Sequence, residues 1–186
     1  METRFEVGAL PVQVIVLVQP SEFLENVSQR ETLRAVLATP VARRVLAAGG
    51  AGEDWAPAGF DLMRQRGSDF GERLAAAFAD AHATAALPML LLRADAPAIS
   101  ADMLEDAARS LISAEADAVF GPASDGGCWL LGLRRPDRSL LVGTPAPAAG
   151  AGAGAGRLLL ERLAAAGMRV ALAPRLEVAA APALRF

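Results

Sequence analysis

Three short segments put reactive side chains where a strand gives way to a loop. In "LLLRADAPAIS", Asp95 follows an apolar run, and Pro97 stops the strand two residues later. A carboxylate just past a strand's carboxyl end can hold a divalent cation, and the cation can bridge a diphosphate. The same residue can make an Asx-turn ahead of the proline, and on position alone that turn is the stronger reading. In "GPASDGGCWLLGL", Asp125 follows a second apolar run, and Gly126 and Gly127 let a ligand approach the backbone closely. Taken alone, Asp-Gly-Gly is ordinary hairpin chemistry. In "QRGSDFGERLAAAF", Gln65, Arg66 and Gly67 form a loop before a helix, so the loop's N–H groups and Arg73 can face an anion. The competing reading is a solvated helix start, with Asp69 and Glu72 complementing the helix dipole.

What the chain lacks narrows the chemistry further. All 18 basic residues are Arg, so a Schiff base, a lysine general base and a P-loop lysine are excluded. Any phosphate must be held by Arg, by backbone N–H groups or through a metal. A single cysteine, Cys128, excludes an intrachain disulfide, and a single histidine, His82, excludes a multi-histidine metal site. Cys128 reads as a small buried hydrophobe, Trp129 as core, and His82 as a residue near a helix end. The net charge of −3, without a basic run, argues against a nucleic-acid partner. No apolar run reaches the roughly 18 residues that span a bilayer, and the N-terminus lacks the form of a signal peptide. The expectation is a cytoplasmic protein with no membrane partner.

These candidates need a scaffold, and the pattern supplies one. A length of 186 residues suits one domain, and about 70% of the unfolded surface of such a chain can be buried. "PVQVIVLVQP" reads as a buried strand, and "SEFLENVSQRETLRAVLATP" as a helix with a break near Ser28 that ends at Pro40. "VARRVLAA" and the weaker "FDLMRQ" follow as strands. Asp69 to His82 has helical spacing in Phe70, Leu74, Ala77 and Phe78. "PMLLLR" is a continuous apolar strand, covered on both faces. Ser100 can cap the next helix, whose buried stripe is Leu104, Ala107, Ala108, Leu111 and Ile112. "DAVFG" and "CWLLGL" form an antiparallel addition, "RLLLERLAAAG" a late helix with Gly167 past its end, and "MRVALA" a last strand. The result is an α/β fold, three-layer α/β/α, with a mixed, mostly parallel sheet. Residues 143–156, "GTPAPAAGAGAGAG", read as a flexible Ala/Gly-rich loop.

The strings "QRGSDFGERLAAAFADA", "LLLRADAPAISADMLEDAARSL" and "ADAVFGPASDGGCWLLGLRRP", in that order and spacing, resemble a bacterial family of GT-A-type proteins. These are nucleotide-diphospho-sugar transferases, or arsenosugar-biosynthesis-type glycosyltransferases; related guanylyltransferases share the architecture. The resemblance runs from Thr32 to Pro136. It implies a Rossmann-like GT-A fold binding a nucleotide diphosphate sugar with Mg²⁺ or Mn²⁺. It implies that Asp95 holds the metal, that Asp125 is catalytic near the acceptor, and that Gly126 and Gly127 shape the pocket. It sets Gln65, Gly67, Glu72 and Arg73 beside the nucleotide, with Arg66 and Arg73 as phosphate partners.

The chain also departs from that family. The family's Lys-, Pro- and Gly-rich loop after the first strand is replaced by the acidic "VQPSEFLENVSQRETLR", which would repel a diphosphate. The strand before Asp95 ends in Arg93-Ala94, where small or hydroxyl residues are usual, and Arg93 is a cation able to replace a lost one. Near the C-terminus, Glu177 is the sole acid in place of an Asp-rich element. Three readings follow: a glycosyltransferase acting on a small-molecule acceptor, a nucleotidyltransferase releasing pyrophosphate, and a non-catalytic relative serving as a binding or partner subunit. A homodimer is compatible with each.

Overall fold

The computed structural model describes residues 8–18, 27–49, 56–94, 98–146 and 154–177. Its centre is a seven-stranded sheet. Strands β1 (Leu10–Val18), β2 (Val41–Ala48), β3 (Asp61–Arg64), β4 (Met89–Arg93), β5 (Ala118–Pro122), β6 (Cys128–Leu133) and β7 (Val170–Leu172) lie in the order β3-β2-β1-β4-β6-β5-β7. Only β6 runs antiparallel to its neighbours, β4 and β5. The other pairs are parallel.

The apolar continuity of β1 and β4 has the expected cause, since both are covered on both faces. Val12, Val14 and Val16 enter one core with Leu90, Leu92 and Trp129. Ile15, Leu91 and Phe120 enter the other. The first face is closed by α1 (Val27–Ala38) and α3 (Ala101–Ile112). The second is closed by α2 (Phe70–Thr84), a short α4 (Arg138–Leu141) and α5 (Gly154–Ala165). The edge strands β3 and β7 are the two shortest and among the most exposed, which limits pairing with other chains.

Local chemistry sets the helix ends. α1 stops before Pro40, and the Arg44 guanidinium donates to the carbonyls of Val36 and Thr39 at 3.0 and 2.7 Å, adding a charged partner at the helix's carboxyl end. Asp69 and Ser100 are the N-caps of α2 and α3, accepting from the backbone N–H groups of Glu72 and Met103. Gly167 follows α5 with φ +69°.

Three expectations change. Ile112 is 38% exposed, because one more residue around the helix carries it off the stripe formed by Leu104, Ala107, Ala108 and Leu111. The Ala/Gly-rich stretch is not loop to its end, since Gly154, Ala155 and Gly156 form the first turn of α5 and Ala155 and Gly156 are buried. At the other end of that stretch Thr144 is buried, and Arg162 of α5 donates to the carbonyls of Leu140 and Val142 at 3.0 and 2.8 Å. The short α4 has no counterpart in the sequence pattern, because four residues are too few to show a period.

Candidate active site at the carboxyl edge of the sheet

All strands except β6 point their carboxyl ends to one edge, and the β5–β6 turn returns to it. Strand order reverses between β1 and β4, since β2 and β3 build outward on one side and β6, β5 and β7 on the other. Open α/β sheets bind ligands at such a switch point. Arg93 closes β4 there, in register with Leu17 of β1. The segments leaving both strands, 19–26 and 95–97, lie outside the described residues. They include the metal candidate Asp95 and part of the acidic stretch after β1.

Asp125 combines the two roles that its sequence leaves open. It is a turn residue, since its Oδ1 accepts the Gly127 N–H at 2.9 Å and Gly126 takes φ +79°. It also faces the switch point, because its Oδ2 accepts from Arg93 Nη1 at 2.6 Å. Both side chains are largely enclosed, at 15% exposure for Arg93 and 21% for Asp125. Burial pushes the Asp125 carboxyl up, but the Arg93 hydrogen bond, the Gly127 N–H and the Arg93 charge outweigh it. The group is held below the usual carboxylate range. It therefore stays ionised near neutrality and makes a better hydrogen-bond acceptor than a proton carrier. Cys128 lies beside this pair, and burial pushes its thiol up to about 12, so it is not a nucleophile.

Gly126 and Gly127 do more than leave room. The Gly126 carbonyl accepts the Gly156 N–H at 3.0 Å, which satisfies one of the donors α5 leaves unpaired. A groove of about 580 Å³ opens at this junction, lined in part by Asp125, Gly127, Arg157, Glu161 and Arg175. Arg157 pairs with Glu161 at 2.6 Å. Sequence reasoning missed this wall because Gly156 and Arg157 sit at the border of the low-complexity stretch. The helix read over "RLLLERLAAAG" begins at Arg157, and the apolar run alone does not show that its first turn reaches back to Gly154.

The loop after β3 reaches the same edge on the other side of β1. Gln65 donates through Nε2 to the carbonyls of Val18 and Ala47 at 2.9 and 2.7 Å, which ties the loop to the ends of β1 and β2. Gly67 has φ +127°, and a Cβ there would sit 2.7 Å from the Arg73 backbone nitrogen. Arg66 turns outward to an ion pair with Asp80. Glu72 accepts from the Ser68 N–H and hydroxyl, which lowers its pKa and makes it part of the helix cap. The half-buried Arg73 makes no side-chain hydrogen bond or ion pair among the described residues.

A divalent cation does not fit the described residues. No three His, Cys, Asp or Glu side chains gather among them. The Asp125 oxygens accept from an arginine and a backbone N–H, and an arginine at 2.6 Å repels a cation.

The mixed sheet, its two helical layers and the acid-bearing turn at the switch-point edge define a Rossmann-like scaffold of the GT-A type. The chain belongs to the family DUF2064, "Uncharacterized protein conserved in bacteria", whose model matches residues 25–146. No curated protein matches it. Among solved structures it is similar to a protein from Desulfovibrio desulfuricans G20 provisionally assigned as a nucleotide-diphospho-sugar transferase. That match has 19% identity and a TM-score of 0.74, over 91% of this chain and 82% of that one. CMP:2-keto-3-deoxy-manno-octonic acid synthetase complexed with CTP matches with 13% identity and a TM-score of 0.65, over 92% and 94% of the two chains. A mannosyltransferase from Pyrobaculum calidifontis in complex with GDP-Man and Mn²⁺ matches with 18% identity and a TM-score of 0.59, over 95% of this chain and 59% of that one. No helix among the described residues is long and apolar enough to cross a membrane.

Proposed function

We propose that the protein is a glycosyltransferase that moves a sugar from a nucleotide diphosphate donor to a small acceptor. The observation that carries this reading is the Arg93–Asp125 pair at the β1/β4 switch point, between the loop of residues 65–67 and the groove beneath α5. In this reading the donor's diphosphate lies over the ends of β1 and β4, near the N–H groups of the 65–67 loop and Arg73. The acceptor enters by the groove, and the ionised Asp125 orients its hydroxyl. Orienting the acceptor suits a carboxylate held at low pKa better than abstracting its proton. Calorimetry with a panel of UDP-, GDP- and TDP-sugars tests the reading, followed by assay of nucleoside diphosphate release. Heat with one nucleotide class and release on addition of acceptors is expected. A folded protein that binds none of them is instead the non-catalytic relative.

A nucleotidyltransferase is the second reading. It is favoured by the match to the CTP-bound synthetase, which runs over nearly the whole of both chains, whereas the mannosyltransferase is much longer than its matched part. It predicts pyrophosphate release from a nucleoside triphosphate in the presence of a phosphorylated or carboxylated acceptor, and no release from any nucleotide sugar.

A further inference from the structure

The groove beside Asp125 has a second wall, the extended segment that follows β7. We propose that Arg175 on this wall reads an anionic group, phosphate or carboxylate, so that the acceptor is a small hydroxylated molecule carrying an oxyanion. The inference rests on the reading of the groove as the acceptor's entry and names what the groove selects.

Backbone contacts lay residues 173–176 along the β5–β6 hairpin. The Ala173 N–H donates to the Phe120 carbonyl at 2.9 Å and the Leu176 N–H to the Pro122 carbonyl at 3.0 Å, while the Leu176 carbonyl accepts the Ser124 N–H at 2.9 Å. Between them the Trp129 indole N–H donates to the Pro174 carbonyl at 2.9 Å. Trp129 is fully buried and packs so closely on Gly121 that a Cβ there would lie 2.6 Å from its ring. The chain is thus pinned on both sides of Arg175. Side chains alternate along such a segment. Leu176 packs against the core, and Arg175 lines the groove.

The other charged groups that line the groove among the described residues are already paired. Arg157 pairs with Glu161, and Asp125 accepts from Arg93 and the Gly127 N–H. Arg175 is exposed and makes no ion pair or side-chain hydrogen bond among the described residues. The stretches that adjoin these walls in sequence, residues 147–153 and 178–186, contain no Asp or Glu. A guanidinium is permanently charged, and its fork matches the oxygens of phosphate and carboxylate. The ionised Asp125 repels an anion but accepts from a hydroxyl. The two residues therefore sort the ends of one acceptor, hydroxyl to Asp125 and oxyanion to Arg175. A groove of about 580 Å³ is of the size that takes a small molecule.

The test is an amide-resolved NMR titration of the full chain with glycerol 3-phosphate, glycerate and glycerol. The expected result is saturable shifts at Ser124, Gly126, Gly127 and Leu176 with at least one of the two anions, and none with glycerol. The tighter anion tells phosphate from carboxylate. Arg175→Gln should weaken that binding by about fivefold or more, and Arg175→Lys by less, since the charge stays and the fork is lost. Arg109→Gln, on α3, removes a charge that does not line the groove and should leave the affinity unchanged. Glycerol acting as strongly as the anions, no shift with either anion, or an affinity that Arg175→Gln leaves unchanged would each overturn the inference. Calorimetry with nucleotide sugars is scored apart. Nucleotide binding without anion binding overturns this inference alone. Anion binding without nucleotide binding overturns the transferase reading and leaves the groove as an oxyanion site. Binding of neither overturns both.

Discussion

The backbone N–H of Gly156, in the first turn of α5, lies 3.0 Å from the carbonyl oxygen of Gly126, and a Cβ on Gly156 would come within 2.7 Å of the Gly127 carbonyl. Helix and turn touch backbone to backbone, with no space for a side chain. The turn that carries Asp125 is thus braced by a helix whose start lies in a stretch of alternating Ala and Gly.

This contact sets two nearby glycines apart. Gly156→Ala should destabilise the protein by about 1–3 kcal/mol, since neither backbone oxygen can yield cheaply. Gly154, two residues earlier, has nothing within 4 Å of an added Cβ. Gly154→Ala should stabilise by about 0.5–1 kcal/mol through helix propensity and a less flexible unfolded chain. Thermal melts of the two variants should move in opposite directions.

Gln65 should prove a brace whose loss disturbs the site indirectly. Gln65→Leu leaves the Val18 and Ala47 carbonyls without their donor and should cost about 1–3 kcal/mol. Gln65→Glu should cost more, because it sets a carboxylate against two carbonyl oxygens. Urea unfolding midpoints rank the two. The opposite ranking would show that the loop simply swings away.

Acid should weaken the fold through identifiable groups. The side-chain and backbone hydrogen bonds of Arg169 hold the Asp117 carboxyl down at about 2, and Asp125 is also held low. A carboxylate with a depressed folded pKa stabilises above its unfolded value, near 4, and loses that contribution as pH falls through the folded value. Stability should be flat above about pH 5 and decline from about pH 4 towards 2. Asp117→Asn and Asp125→Asn should each make the decline shallower in urea titrations at pH 6, 4 and 3.

Chemistry can be separated from scaffold at Arg73. Its side chain has no hydrogen bond or ion pair among the described residues, so Arg73→Gln should leave the melting temperature within about 2 °C of the parent. In the transferase reading it should weaken nucleotide binding by several-fold, and an unchanged affinity would remove Arg73 from the phosphate's surroundings. Arg66→Gln should leave affinity unchanged, because the ion pair with Asp80 draws that side chain away.

The strands, the Ser100 cap, the antiparallel hairpin and the closing Gly167 were all legible in the sequence. Each depends on residues a few positions apart, where apolar periodicity, β-branching and turn chemistry act locally. The edge occupied by Gln65, Arg66, Gly67, Asp125, Gly126 and Gly127 was legible as well, since strand ends imply it once the sheet is mostly parallel. What those residues touch was decided by the tertiary structure. Asp125 meets Arg93 from 32 positions away, Gln65 reaches Val18 across 47, and Gly156 abuts a turn 30 residues before it. No local pattern encodes such pairs, because they exist only after strand order has folded distant loops onto one edge. Ion pairing then sets the charge state of a carboxylate, and at Asp125 the close approach of Arg93 holds it ionised.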